Sequence, residues 1–232
     1  MNMKDLKISE IMPVLYEEKG LEKKLRSLNL TESEELIVVD GGSSDRTVEI
    51  ASNFTELVYC TQSGRARQMN LGARKAVGDI LLFLHADCIL PEHAFQIIRA
   101  TLSRNNTVAG AFDLSIDSPS LCFRVIERWA NIRSRITRTP YGDQGIFIIK
   151  DTFEELGGYA DIPIMEDIEI VRRLNKKGGM ALIRQRIKAS PRRWQKEGLF
   201  YTSVRNWALA LAYTVFHVSP ERLIKCYRSD VR

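Results

Sequence analysis

Cysteine is scarce in this chain of 232 residues: Cys60, Cys88, Cys122 and Cys226 lie far apart, with no C-x-x-C pair and no histidine at zinc-site spacing. A disulfide scaffold and a zinc ribbon are excluded, and a reducing compartment is the simpler reading. There is no G-x-G-x-x-G and no G-x-x-x-x-G-K-[ST], so a nucleotide has to be held without either fingerprint. The longest uncharged stretch runs from Asn206 to Pro220, short of the ~20 residues a spanning helix needs. At the amino end, MNMKDLKISEIMP breaks its apolar residues with charges before a signal-peptide core can form. A cytoplasmic protein is expected, with contact at a membrane surface left open. Internal repeats and low-complexity tracts are also missing.

What is present is the composition of a folded protein, 44% hydrophobic and 27% charged, with 34 Lys and Arg against 29 Asp and Glu. A net charge of +5 does not announce a nucleic-acid binder, and none is expected as a partner. Over the first half, short apolar runs alternate with amphipathic ones, which predicts an α/β fold with a mostly parallel sheet flanked by helices. Strands are predicted at 8–15, 36–40, 79–84, 107–116 and 146–150. Helices are predicted at 17–28, from 48, at 65–77, 92–103 and 121–136, the last with a basic outer face, and from 165. Between Arg172 and Lys196 there are ten Lys or Arg and no acid, where an anionic ligand is expected. Leu199 to Val218 reads as helical core packing, and Ser219-Pro220 restarts a short terminal helix. One domain is expected, with a first half at 6–116, a second half at 117–198 and C-terminal helices at 199–232.

Ligands of such sheets bind at the carboxyl ends of strands, and polar residues cluster there. Asp40 closes the LIVVD run and is followed by Gly41, Gly42 and Ser43. The acid can accept hydrogen bonds from a base or ribose while glycine lets backbone approach; equally, Ser43 or Ser44 can cap the next helix. His85-Ala86-Asp87 ends another strand and offers two metal ligands two residues apart, or else a cap and a core histidine. Glu166-Asp167 opens a helix, as a dipole partner or as a general base. Arg192-Arg193-Trp194 suits a diphosphate, or forms a basic surface patch.

In order, IMPVLYEE, VVDGGSSDRT, GRARQMNLGARKAVGDILLFLHAD, GDQGIFI, MEDIEIVRRL and RRW resemble glycosyltransferase family 2, of the GT-A type, across nearly the whole chain. H-A-D in place of D-x-D, the G-D-Q-G loop and the terminal SPERL…YR resemble, more narrowly, the small bacterial radical-SAM/selenodomain-associated transferases. The resemblance implies a Rossmann-type nucleotide-binding fold and transfer of a sugar from a nucleoside-diphosphate donor, a UDP-sugar first, to an unidentified acceptor hydroxyl with inversion. It implies that Pro13, Leu15, Glu17, Asp40, Gly41, Ser43, Arg67, Asn70, Ala86 and Asp87 contact the donor nucleotide. Asp87 with His85 would hold Mn²⁺ or Mg²⁺, Arg193 and Trp194 the diphosphate, and Gly142, Asp143 and Gln144 the acceptor. Asp167, beside Glu166, matches the catalytic base. Two alternatives stand beside this reading: a non-catalytic nucleotide-sugar binder, and a module binding anionic membrane or nucleic acid through 172–196 and 199–218.

Overall fold

The computed structural model describes residues 6–28 and 30–227. The leader reading of residues 1–5 and Arg228 of the terminal motif lie outside the described residues. Eight strands, β1 (Ile8–Val14), β2 (Glu34–Asp40), β3 (Val58–Cys60), β4 (Ile80–Phe83), β5 (Cys88–Ile89), β6 (Thr107–Ile116), β7 (Ile146–Ile149) and β8 (Gly179–Ala189), form one sheet in the order β3-β2-β1-β4-β7-β6-β8-β5. The helices are α1 (Leu21–Arg26), α2 (Thr47–Ser52), α3 (Arg65–Lys75), α4 (Ala94–Leu102), α5 (Leu121–Thr137), α6 (Lys150–Glu155), α7 (Glu166–Lys177), α8 (Arg192–Glu197), α9 (Leu199–Thr214) and α10 (Pro220–Leu223). Pairing is parallel except where β7 meets β4 and β6 and where β5 meets β8, so β7 and β5 alone run against the others.

The apolar runs of β1, β2 and β4 are buried on both faces, as a central parallel sheet requires. Ile11, Leu81 and Ile148 pack on one side against Met69 and Ala73 of α3 and Ile170, Val171 and Leu174 of α7. On the other side Ile8, Ile80, Leu82 and Phe147 meet Phe95, Ile98 and Leu102 of α4. Contact with α3 is close: a Cβ on Gly72 would lie 2.4 Å from Ile11 Cγ2 and 3.3 Å from Val39 Cγ2. No helix of the described residues is long and apolar enough to cross a membrane.

Several expectations need correction. The helix expected from Glu17 begins only at Leu21, because Tyr16 adopts a φ of +54° and the Glu17 amide is committed to Thr47 Oγ1 at 2.9 Å. β3, β5 and β8 escaped the sequence reading. β8 is masked by its exposed cations and by a register break against β6 between Phe112 and Asp113. The basic outer face of α5 is a flank only: Leu121, Val125, Trp129, Ile132 and Ile136 are exposed. α9 is core on one side, through Leu209 and Ala210, and exposes Phe200, Val204, Trp207, Leu211 and Val215 on the other. Helical periodicity reveals a stripe but not what covers it. The expected halves 6–116 and 117–198 share one sheet, as parts of one domain can, since β7 of the second lies between β4 and β6 of the first.

Gly72→Ala should overpack the α3–β1 contact and lower stability by roughly 1–3 kcal/mol. Urea unfolding followed by circular dichroism measures it; an unchanged midpoint would contradict the close packing.

Candidate active site

Topology gathers the polar loops. The carboxyl ends of β1, β2, β4 and β8 share one edge of the sheet, and antiparallel β7 brings its amino end to that edge, with Ile146 opposite Phe83. The turn Gly142–Gln144 therefore stands beside His85-Ala86-Asp87. The chain leaving β8 is tied to the same place by a bond from Ser190 N to Asp87 O at 3.0 Å. Together with the start of α7 these loops wall a cleft of about 400 Å³.

Of the residues singled out in the sequence, Pro13, Leu15, Glu17, His85, Ala86, Asp87, Gly142, Asp143, Glu166, Asp167, Arg193 and Trp194 line that cleft. Six others do not. Asp40 is buried and accepts from the amides of Gly42 and Ser43, each at 2.8 Å, and from Ser43 Oγ at 2.5 Å. Ser43 Oγ in turn accepts from the Tyr16 amide at 2.9 Å, so Asp40 and Ser43 act on the cleft by fixing the loop after β1. Gly41 makes room for Gln68, whose Nε2 donates to the carbonyls of Val14 and Val39. Arg67 points away to Asp161, at 2.9 Å. Asn70 exchanges two hydrogen bonds with the Tyr159 backbone and holds the turn that leads toward α7. Gln144 is buried, donating to Phe112 O and accepting from Ser134 Oγ.

Asp167 Oδ2 accepts the Gly142 amide at 2.8 Å, and its Oδ1 accepts the Ile168 amide at 2.7 Å. A Cβ on Gly142 would come within 2.9 Å of His85 Nε2 and 3.6 Å of Asp167 Oδ2, so the missing side chain leaves the imidazole its room while Asp167 lies at ordinary contact distance. Glu166 is buried and pairs with Arg65 at 3.3 Å. Burial works against the Arg65 charge, yet Glu166, Asp167, Asp87 and Asp143 hold its pKa above the usual value. Arg133 lies 3.3 Å over the Tyr141 ring, and burial brings its pKa down to about 10. For Asp143, burial foremost, then Asp167 and Asp87, raises the pKa to about 6 against the opposing pull of Arg133 and Arg65. Glu17 is likewise pushed up by burial, although Arg192 pairs with it at 2.8 Å.

The donor set fits a divalent cation. Potential ligand atoms of His85, Asp87 and Cys88 lie within 4.8 Å of one another. Burial, then Arg65 and Arg193, depresses His85 well below its ordinary value, leaving a neutral imidazole with a lone pair to give. Burial also raises the Cys88 thiol, which stays protonated and is a poor ligand. One carboxylate and one imidazole remain. Of the ten cations between Arg172 and Lys196, Arg192, Arg193 and Lys196 reach the cleft. The Trp194 indole nitrogen is buried there without a hydrogen-bond partner among the described residues.

The family model for glycosyl transferase family 2 matches residues 9–153. The chain belongs to glycosyl transferase family 2. It is 40% identical over 107 residues to 4,4'-diaponeurosporenoate glycosyltransferase of Staphylococcus haemolyticus, covering 42% of this chain and 28% of that one. It is 26% identical over 210 residues to the probable glycosyltransferase YdaM of Bacillus subtilis, covering 76% of this chain and 49% of that one. The chain thus spans half or less of the length of these two curated relatives.

Its GT-A fold is shared with the mannosyltransferase PcManGT of Pyrobaculum calidifontis, solved with GDP-Man and Mn²⁺, at a TM-score of 0.70 and 16% identity over 92% of this chain and 65% of that one. S. aureus TarS 1-349 in complex with UDP gives 0.62 at 16% identity, over 94% and 68%.

Sequence reasoning missed Arg65, Gln68 and Tyr141, all of which line the cleft; Arg192, singled out with Arg193 and Trp194, lines it too. For Arg65 the signal was present. It lies three and four residues before Gln68 and Met69, on the buried face of α3, whereas Arg67 falls on another face.

Asp143 gives a pH signature in the metal-free protein. The unfolded chain releases this proton near 3.8 and the folded protein near 6, so folded protein binds more protons in that window. Stability should fall as pH rises through the window, and Asp143→Asn should remove that part of the fall. Denaturant titrations across the window measure it; parallel profiles for the two proteins would contradict the assignment.

Proposed function

We propose that this chain transfers a sugar from a nucleoside-diphosphate donor to an acceptor hydroxyl with inversion, with Asp167 as general base. The observation that carries the reading is the cleft itself. Asp167 is braced by the Gly142 amide beside the His85-Asp87 metal-type pair, and Arg193 and Lys196 belong to the same wall. Each Asp167 oxygen accepts one backbone amide and keeps a further lone pair for an acceptor hydroxyl. As the acceptor hydroxyl oxygen bonds to the anomeric carbon, its proton passes to Asp167 and the sugar–diphosphate bond breaks. Arg193 and Lys196 answer the charge that grows on the departing diphosphate. A divalent cation held by Asp87 and His85 would neutralise part of the same charge. Its imidazole donor favours Mn²⁺ over Mg²⁺, which prefers an all-oxygen shell.

Pro13 at the end of β1, with Leu15 and Glu17 of the loop after it, would receive the base and ribose, with Asp40, Gly41 and Ser43 shaping that loop from behind. A UDP-sugar is the donor of choice, and the 142–144 turn borders the acceptor side. H-A-D, G-D-Q-G and SPERL support placement in the radical-SAM/selenodomain-associated subgroup. The free cysteines suit a cytoplasmic setting.

Asp167→Asn should lower nucleotide release from a panel of UDP- and GDP-sugars by about 10²–10⁴-fold, leaving donor binding near normal. Asp87→Ala should instead weaken Mn²⁺-dependent donor binding. Full turnover in Asp167→Asn would overturn the base assignment.

A further inference from the structure

α5 is amphipathic the wrong way round for a helix lying on a sheet. Apart from Phe123, its inward side is polar: Glu127 accepts the Ile116 amide at 2.5 Å, Asn131 exchanges two hydrogen bonds with Leu114, and Ser134 donates to Gln144 at 2.7 Å. The apolar residues Leu121, Val125, Trp129, Ile132 and Ile136 therefore form an outward stripe at helical spacing. α9, though core on its inner side at Leu209 and Ala210, adds an outward stripe of Phe200, Val204, Trp207 and Leu211, continued by Val215 just past its end. The stripes meet edge to face at Trp129 and Trp207, with ring centroids 5.8 Å apart and each residue about half exposed, at 55% and 51%. One continuous apolar face results, larger than the scattered exposed residues of an ordinary surface.

Charge selects the occupant. The one acid on α5, Glu127, is buried, and α9 has none. Arg124 and Arg128 are exposed on one flank of the α5 stripe; Arg124 pairs with the buried Glu127 at 2.7 Å and the half-buried Arg135 with Asp113 at 2.6 Å, so that, with Arg133, four arginines stand against two acids and the helix keeps a net positive charge. Two tryptophans on an apolar face edged by arginines, with no exposed acid on either helix, match the interfacial zone of an anionic bilayer. A second copy packed on this face would instead bring like charges together.

We propose that the α5–α9 face docks the protein on an anionic lipid surface. The inner side of α9 contributes Asn206, Leu209 and Ala210 to the cleft wall, so docking holds the cleft beside the bilayer. The inference does not depend on the transferase reading.

The test is co-sedimentation of the full chain with phosphatidylcholine vesicles, with and without phosphatidylglycerol. Wild type should sediment with the anionic vesicles, less so as salt is raised. Val125→Glu combined with Leu211→Glu, both at exposed positions outside the cleft, should weaken partition by about tenfold or more with an unchanged circular dichroism spectrum. The proposal is overturned if wild type ignores both vesicle types, or if the double variant binds as well as wild type. It is also overturned if velocity sedimentation shows wild type pairing through this face while failing to bind vesicles. Nucleotide titration of the same samples reports on the cleft separately, so failure of one reading is distinguishable from failure of the other.

Discussion

The hydrogen bond from the Gly142 amide to Asp167 Oδ2 is the constraint on which the site depends. It joins the turn before β7 to the start of α7, and the missing Cβ of Gly142 admits His85 from the end of β4. Three segments far apart in sequence thereby present an imidazole and carboxylates to one cleft. Such a gathering of like charges is unfavourable by itself. Arg65 offsets it from within, its guanidinium paired with Glu166 and within the field of Asp87, Asp143 and Asp167. The antiparallel β7 is what makes the arrangement possible, because a parallel strand would carry its preceding turn to the opposite edge.

Around this centre, buried polar side chains hold the loops. Gln68 bridges the ends of β1 and β2, Asp40 and Ser43 fix the loop after β1, and Asn70 clamps the turn at Tyr159. Each satisfies backbone groups that would otherwise be buried unpaired. The same use of polar groups on the inner side of α5 leaves its apolar residues facing outward, so the structural role of Glu127 and Asn131 and the exposed face are two consequences of one sequence pattern.

Most of the fold was legible in the sequence, since continuous apolar runs ending in Asp40 or in His85-Ala86-Asp87 identify buried parallel strands and the edge where their loops converge. Strand β8 was hidden because its alternation is broken by a register shift and overlaid with cations. Much of the cleft was also legible, because motif residues at strand ends have few places to go. Arg67 and Asn70 illustrate the limit: a motif gives proximity in sequence, while helix phase decides which of its members face the cleft. Arg65 and Gln68 face it; Arg67 reaches Asp161 on the surface. The outward faces of α5 and α9 were misread for a related reason, since amphipathicity alone does not state which side is inside.

On the proposed function, the cleft receives a nucleoside diphosphate with the help of a cation at His85 and Asp87. Calorimetric titration of the purified protein with UDP and with GDP, each in Mn²⁺ and in chelator, measures this. Binding of one nucleotide in the micromolar range, abolished by chelator, is the predicted result. Absence of binding to either nucleotide in Mn²⁺ would contradict the account.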